Sequence, residues 1–283
     1  MSTDFSVLMP VYRGDVPAHF ARALRSVSTD QTRRPSEIVI VRDGAVSAEL
    51  DGLIDAALAG EAVGGVPVTA VRLTHHRGLA GALSEGLKAC RHEIVARADA
   101  DDISVPIRFA AQLPFVAGEH HHEPLDLLGG AIREFEDDES QLGIARVLPT
   151  DADEIRRVAR FRDPFNHPTV VYRRSAVDTA GGYQELARME DYWLFARMLA
   201  AGARVANLAE SVVLYRVGAG AYQRRGGLGM VRSELALQRA FVGSGFVSPL
   251  QGARNVLVRG GYRIVPTALR QAGYRAMLRM AGR

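Results

Sequence analysis

Three aspartates stand almost side by side in the run Asp99-Ala100-Asp101-Asp102. Carboxylates at this spacing offer hard oxygen ligands on one short loop. That is the donor set Mg²⁺ or Mn²⁺ prefers, and both ions keep their remaining positions for water and substrate phosphates. A nucleotide diphosphate would complete such a site. The plain alternative is a solvated turn in which Asp102 caps the segment that follows. The other chemically capable residues are less telling. His120, His121 and His122 with Glu123 form a run whose side chains scatter in direction, as in a solvated loop. His167 lies between Asn166 and Pro168, in a turn restricted by the proline, where a substrate contact and a turn-stabilising hydrogen bond are both open readings. Asp191 stands where a helical pattern begins, and a carboxylate there favours the helix N-terminus by charge alone.

The elements around these residues decide which of them meet. Phe5 to Val11 is an apolar run that stops at Tyr12-Arg13-Gly14-Asp15, a buried strand ending at a loop. Ala21, Leu24 and Val27 recur at helical spacing, and Glu37 to Val41 predicts a second strand ending at Asp43-Gly44. The alternation continues with a helix over Leu50 to Leu58, a strand over Val68 to Leu73, a helix over Leu79 to Ala89 and a strand over Glu93 to Ala98. Continuous apolar strands alternating with helices predict a parallel sheet covered on both faces. Ligands of such sheets sit beyond the carboxyl ends of the strands, where Tyr12, Asp43 and Asp99 to Asp102 all fall.

After about residue 118 the rhythm changes. Leu125 to Arg133 and Leu142 to Leu148 read as strands, Asp151 to Phe161 as a helix, Val170 to Arg173 as a strand, and a helix starts near Met189-Glu190-Asp191. Three helical stretches, about 228–242, 249–260 and 266–281, follow. The expected organisation is 1–118, 119–216 and a helical tail over 217–283.

Composition fits a folded chain with a sizeable core: 283 residues, 47% hydrophobic and 24% charged. Trp193, Leu194, Phe195, Met198 and Leu199 read as helix packing. The single cysteine, Cys90, excludes an internal disulfide and a Cys-based zinc cluster and reads as a small buried hydrophobe. No apolar run approaches the roughly 18–20 residues that span a bilayer. The N-terminus lacks the basic start and cleavage site of a signal peptide, so the cytoplasm is the expected location, with peripheral attachment to the inner membrane face as an option. The net charge of +3 conceals an asymmetry. Residues 216–283 hold twelve arginines against Glu234 alone, a net +11, which leaves −8 for residues 1–215. An acidic body suits a metal-dependent site. A basic tail suits an anionic membrane or a partner's acidic surface, a homodimer contact being another option, or it is only a solvated face in a chain that uses arginine for lysine; nucleic acid is not expected.

Five motifs follow one another in order: Phe5-Ser-Val-Leu-Met-Pro-Val-Tyr12, Glu37-Ile-Val-Ile-Val-Arg-Asp-Gly44, Arg77-Gly-Leu-Ala-Gly-Ala-Leu-Ser-Glu-Gly86, Ala96-Arg-Ala-Asp-Ala-Asp-Asp-Ile103 and Met189-Glu-Asp-Tyr192. Together they resemble the family-2 glycosyltransferases over nearly all of the first 215 residues, and Asn166-His-Pro-Thr169 resembles a bacterial exopolysaccharide and O-antigen branch. The resemblance implies a GT-A fold, α/β with a mostly parallel, Rossmann-like sheet. It implies a nucleotide-sugar donor (UDP, dTDP or GDP), Mn²⁺ or Mg²⁺, and a saccharide acceptor, lipid-linked in a cell-surface pathway. By the same resemblance Pro10 and Tyr12 pack on the base, Asp43 accepts a hydrogen bond from it, and Arg77 and Gly78 form a phosphate-facing turn. Asp99 contacts the ribose or the metal shell and Asp101 ligates the metal. Asp191 is the general base of an inverting displacement, with Glu190 and His167 as acceptor contacts. Arg42 departs from the frequent Asp-Asp-Gly pattern, which bears on base preference. No Gln-x-x-Arg-Trp signature of processive synthases is present, so single addition is expected. A sugar-phosphate nucleotidyltransferase and an inactive nucleotide-sugar binding protein are the alternatives; the first lacks its Gly-rich basic loop here, and Asp191 argues against the second.

Overall fold

The computed structural model describes residues 3–119, 123–217 and 228–261. The histidine run 120–122 and the helix expected over 266–281 lie outside these residues. Two compact units emerge. One comprises residues 1–185 and 190–216; the other comprises Leu186–Met189 and the described residues after Arg216.

In the first unit β1 (Phe5–Tyr12), β2 (Glu37–Asp43), β3 (Val68–Arg72) and β4 (Ile94–Arg97) form the parallel part of a nine-stranded sheet, in the order β3-β2-β1-β4. Phe5, Val7, Leu8, Met9 and Val11 are all buried, as are Ile38 to Val41, because helices cover both faces. These are α1 (Pro17–Ser26), α2 (Ala48–Leu58) and α3 (Gly78–Ala89). Pro17 starts α1, where its missing N–H is no loss, and the Ser47 hydroxyl caps α2 by accepting from the Leu50 N–H. Helix α3 lies close on the sheet because residue 86 is glycine. A Cβ there would come within 2.3 Å of Leu8 Cδ1 and 2.6 Å of Val41 Cγ2.

Beyond β4 the sheet turns mixed. Its order continues β8-β6-β9-β5, with β8 (Val171–Arg173) antiparallel to both β4 and β6 (Leu127–Phe135), β9 (Val205–Arg216) parallel to β6, and β5 (Ile103–Ser104) antiparallel to β9. Helices α4 (Arg108–Ala117), α5 (Ala152–Ala159), α6 (Arg174–Thr179) and α7 (Glu190–Ala200) complete the unit. The strand expected over Leu142 to Leu148 shrinks to β7 (Ala145–Arg146), which pairs with only two residues of β6. Leu142, Ile144 and Val147 are exposed, so the apolar alternation there finds no core to enter.

In the second unit α8 (Leu228–Gly243) precedes α9 (Pro249–Asn255), and Val256–Gly260 continues α9 as a π-helical turn. Ser248 and Gln251 close a reciprocal capping box at the start of α9.

Candidate active site

The register of the parallel strands sets which residues share the carboxyl edge of the sheet. Tyr12 and Asp43 are direct partners at the ends of β1 and β2, and Leu8 pairs with Arg97 two residues before Asp99. Since β1 lies between β2 and β4, Tyr12 is flanked by Asp43 on one side and the aspartate loop on the other. Pro10 sits within β1, opposite Val41. Tyr12 is 46% exposed, and its ring folds over Gly14, where an added Cβ would strike it at 2.4 Å.

Asp43 is buried, and both its oxygens are engaged. Oδ1 accepts from the Arg77 backbone N–H at 2.6 Å, and Oδ2 lies 2.8 Å from His76 Nδ1. The His76 ring in turn lies 6.3 Å from that of Tyr12. Asp43 therefore fastens the turn that starts α3. Gly78, the first residue of α3, has φ +73°, a left-handed conformation that disfavours any side chain. Arg77 pairs with Glu85 at 2.7 Å, and the N-terminus of α3 has no side-chain cap. Arg42 points away from this edge and pairs with Asp51 of α2 at 3.1 Å.

At the end of β4 the oxygens of Asp99, Asp101 and Asp102 lie within 4.8 Å of one another. Burial and the Asp99 charge push the Asp101 carboxyl up to about 6, and burial, with Asp99 and Asp101 beside it, raises Asp102 well above the carboxylate range. Asp102 Oδ1 accepts from the Arg216 backbone N–H at 2.8 Å, while Oδ2 is buried without a hydrogen-bond partner. A buried carboxylate oxygen without a donor is costly unless a cation answers it. Three hard oxygen donors around such an atom therefore fit Mg²⁺ or Mn²⁺.

Four residues that the sequence did not single out support this loop. Arg97, buried at the end of β4, ion-pairs with Asp99. Arg108, equally buried, donates to the Arg97 carbonyl at 2.7 Å and to Ser104 Oγ at 2.9 Å. Desolvation, with the Arg97 charge nearby, lowers Arg108 to about 9. Arg216, the last residue of β9, also donates through Nε to the Asp101 carbonyl at 3.0 Å. Asp15 accepts from the Tyr12 N–H at 2.8 Å; burial and the charges of Asp101 and Asp99 raise its carboxyl to about 7. Only Asp15 had a local signal, an acid closing the turn after β1; the arginines are joined to the loop by the fold.

Asp191 lies in the first turn of α7, its side chain 25% exposed. Desolvation raises its pKa, and the charges of Arg97 and Asp99 also reach it, which ties it to the aspartate loop. His167 Nδ1 is 3.8 Å from Asp191 Oδ2, and its Nε2 is 2.9 Å from the Tyr183 hydroxyl. Burial holds His167 well below its ordinary pKa, so the ring is neutral. Glu190 begins α7 next to Asp191. The turn carrying His167 is anchored by Asn166, which donates to the Gly130 carbonyl at 2.9 Å, and by Thr169, whose hydroxyl accepts from the Gly130 N–H at 2.9 Å.

A parallel half continuing into a mixed sheet, with acids on the carboxyl edge, is the arrangement of the GT-A fold. The chain belongs to glycosyl transferase family 2, which it matches over residues 6–180. It is 38% identical to an uncharacterized glycosyltransferase of Haemophilus influenzae, covering 97% of this chain and 99% of that protein. It is 36% identical to the amylovoran biosynthesis glycosyltransferase AmsE of Erwinia amylovora, covering 95% and 97%. It is 32% identical to the UDP-Gal:alpha-D-GlcNAc-diphosphoundecaprenol beta-1,3-galactosyltransferase of Escherichia coli, covering 97% and 96%. Among solved structures, S. aureus TarS 1-349 in complex with UDP-GlcNAc superimposes with a TM-score of 0.63 at 17% identity, over 85% of this chain and 67% of that one. The mannosyltransferase PcManGT of Pyrobaculum calidifontis, in complex with GDP-Man and Mn2+, gives 0.61 at 17% identity, over 98% and 82%. These likenesses establish the fold.

Proposed function

We propose that this enzyme is an inverting, metal-dependent transferase that moves one sugar from a nucleotide-diphosphate sugar to a lipid-linked saccharide in cell-surface polysaccharide assembly. The observation that carries the reading is the Asp99–Asp101–Asp102 cluster, with the unanswered Asp102 oxygen, beside a partly exposed carboxylate, Asp191, on a separate helix. The Escherichia coli relative, named for a diphosphoundecaprenol acceptor, and the amylovoran relative support the acceptor class. The neighbour holding GDP-Man and Mn2+ supports the metal.

In this reading the donor half is 1–118 and the acceptor half 119–216. Tyr12 and Pro10 pack on the base and Asp43 accepts a hydrogen bond from it, while Arg77, Gly78 and the first turn of α3 receive phosphate oxygens. Asp101, with Asp102 and Asp99, would hold the cation, Asp99 also reaching the ribose; the bound ion would neutralise charge on the departing diphosphate. Asp191 accepts the proton of the attacking hydroxyl, a role worth about 10² to 10⁴ in rate. Neutral His167, fixed by Tyr183, and Glu190 orient the acceptor. A single displacement by one base inverts the anomeric centre. The test is product stereochemistry with a diphosphate-linked lipid acceptor and a panel of UDP-, dTDP- and GDP-sugars. Retained donor configuration would sink the single-displacement mechanism, and transfer without divalent cation would sink the metal role. The basic segment 228–283 is read as facing an anionic membrane or a membrane-bound partner.

A further inference from the structure

The second unit carries a polar network in its interior beside the buried Met230, Leu237, Phe241 and Val247. Glu234, Gln238 and Asn255 are buried, Gln238 donates to Glu234 at 3.0 Å, Asn255 donates to Gln238 at 3.1 Å, and Arg259 reaches the other Glu234 oxygen at 3.0 Å. Its outside is apolar where α9 runs on into the π-helical turn. Leu250 is 82% exposed, Leu257 75% and Val258 54%. These positions, spaced i, i+7 and i+8, fall on one helical stripe, with Ala253 and Arg254 also exposed. Single exposed leucines are ordinary on a soluble protein; a stripe of them over a buried polar network marks an interaction surface. The segment is cationic. Arg232 and Arg239 are exposed on α8 and Arg254 on α9, and the sequence of residues 262–283 adds five arginines and no acid.

We infer that the Leu250–Leu257–Val258 stripe inserts into the headgroup–acyl boundary of an anionic phospholipid bilayer, with the surrounding arginines facing the lipid phosphates. An apolar stripe alone fits any covering partner; an apolar stripe in a segment, 228–283, with nine arginines and one acid fits a surface that is both apolar and anionic. The inference rests on reading segment 228–283 as membrane-facing and names the residues that make the contact.

The test uses the full chain and vesicles of phosphatidylcholine with about 30% phosphatidylglycerol, free of any acceptor lipid. The unaltered enzyme should sediment with these vesicles and stay in solution with pure phosphatidylcholine. Leu250→Asp with Leu257→Asp should weaken partitioning about tenfold or more. Leu250→Gln with Leu257→Gln, which adds no charge, should also weaken it, and keeps the inference testable where the aspartate variant folds poorly. Nucleotide binding, measured on the same samples, follows the catalytic reading separately and should not change. Equal sedimentation of altered and unaltered enzyme would overturn the inference, as would no sedimentation of either. A lipid-free dimer that the substitutions dissociate, with vesicle binding unmoved, would assign the stripe to a second copy of this chain instead.

Discussion

A carboxylate that must lose a proton before it can ligate a metal makes the metal site pH-sensitive. Asp101 is held near 6, so acidification through that value should protonate it and release the cation, with affinity falling about tenfold per unit below it; calorimetric Mn²⁺ titrations at several pH values check this. Asp101→Asn should abolish metal-dependent nucleotide binding while leaving the melting temperature nearly unchanged, and unaltered Mn²⁺ dependence would remove Asp101 from the role. Asp191→Asn should keep donor affinity yet lower transfer by roughly 10² or more, because a base acts on the acceptor. If donor affinity or melting temperature collapsed instead, Asp191 would be a helix-terminal support. Asp99, Asp101 and Asp102 were legible in the sequence because a strand end and a short aspartate run are local patterns, whereas Asp191, at a helix start, was singled out only by the family resemblance. Arg97, Arg108, Arg216 and His76 were not legible, since their roles come from neighbours brought together by the sheet; Arg216 is 114 residues from the carboxylate it holds.

Elements were legible where apolar residues form a continuous run or recur at helical spacing. The βαβ half was readable because its strands are continuous apolar runs between helices. Strand β9 was missed because polar Glu210 and Ser211 interrupt its apolar run at the irregular part of its register with β6. Helix α4 was hidden by Pro114 in its interior. The Asn166–Thr169 turn makes an element-scale prediction. Asn166 is buried and donates to two carbonyls, Gly130 and Arg146, so Asn166→Ala leaves both without this donor and should cost about 1–3 kcal/mol. Chemical denaturation would show it. A loss well under 1 kcal/mol would mean that solvent replaces the side chain and that the turn is not held as described.

At the scale of the whole molecule the acidic body and basic segment answer to different variables. Raising salt from about 0.05 to 0.5 M should detach the enzyme from anionic vesicles while leaving metal-dependent donor binding largely intact, because exposed charges are screened far more than a partly buried carboxylate cluster. Parallel loss of both would indicate one shared electrostatic surface. The charge asymmetry was visible in the sequence; the exposed leucine stripe was not, because nothing local tells which face of a helix is covered. The close seat of α3 on the sheet carries a mechanical consequence as well. Gly86 is the fulcrum of a lever whose free end, eight residues away and about 12 Å along the axis, is the turn at Gly78 that Asp43 fastens. A methyl group there, pressed against Leu8 and Val41, has no slack to use up. The helix would have to rock, and its tip would swing away from the Asp43 anchor, so a mutation at the back of the sheet would detune nucleotide binding at the front.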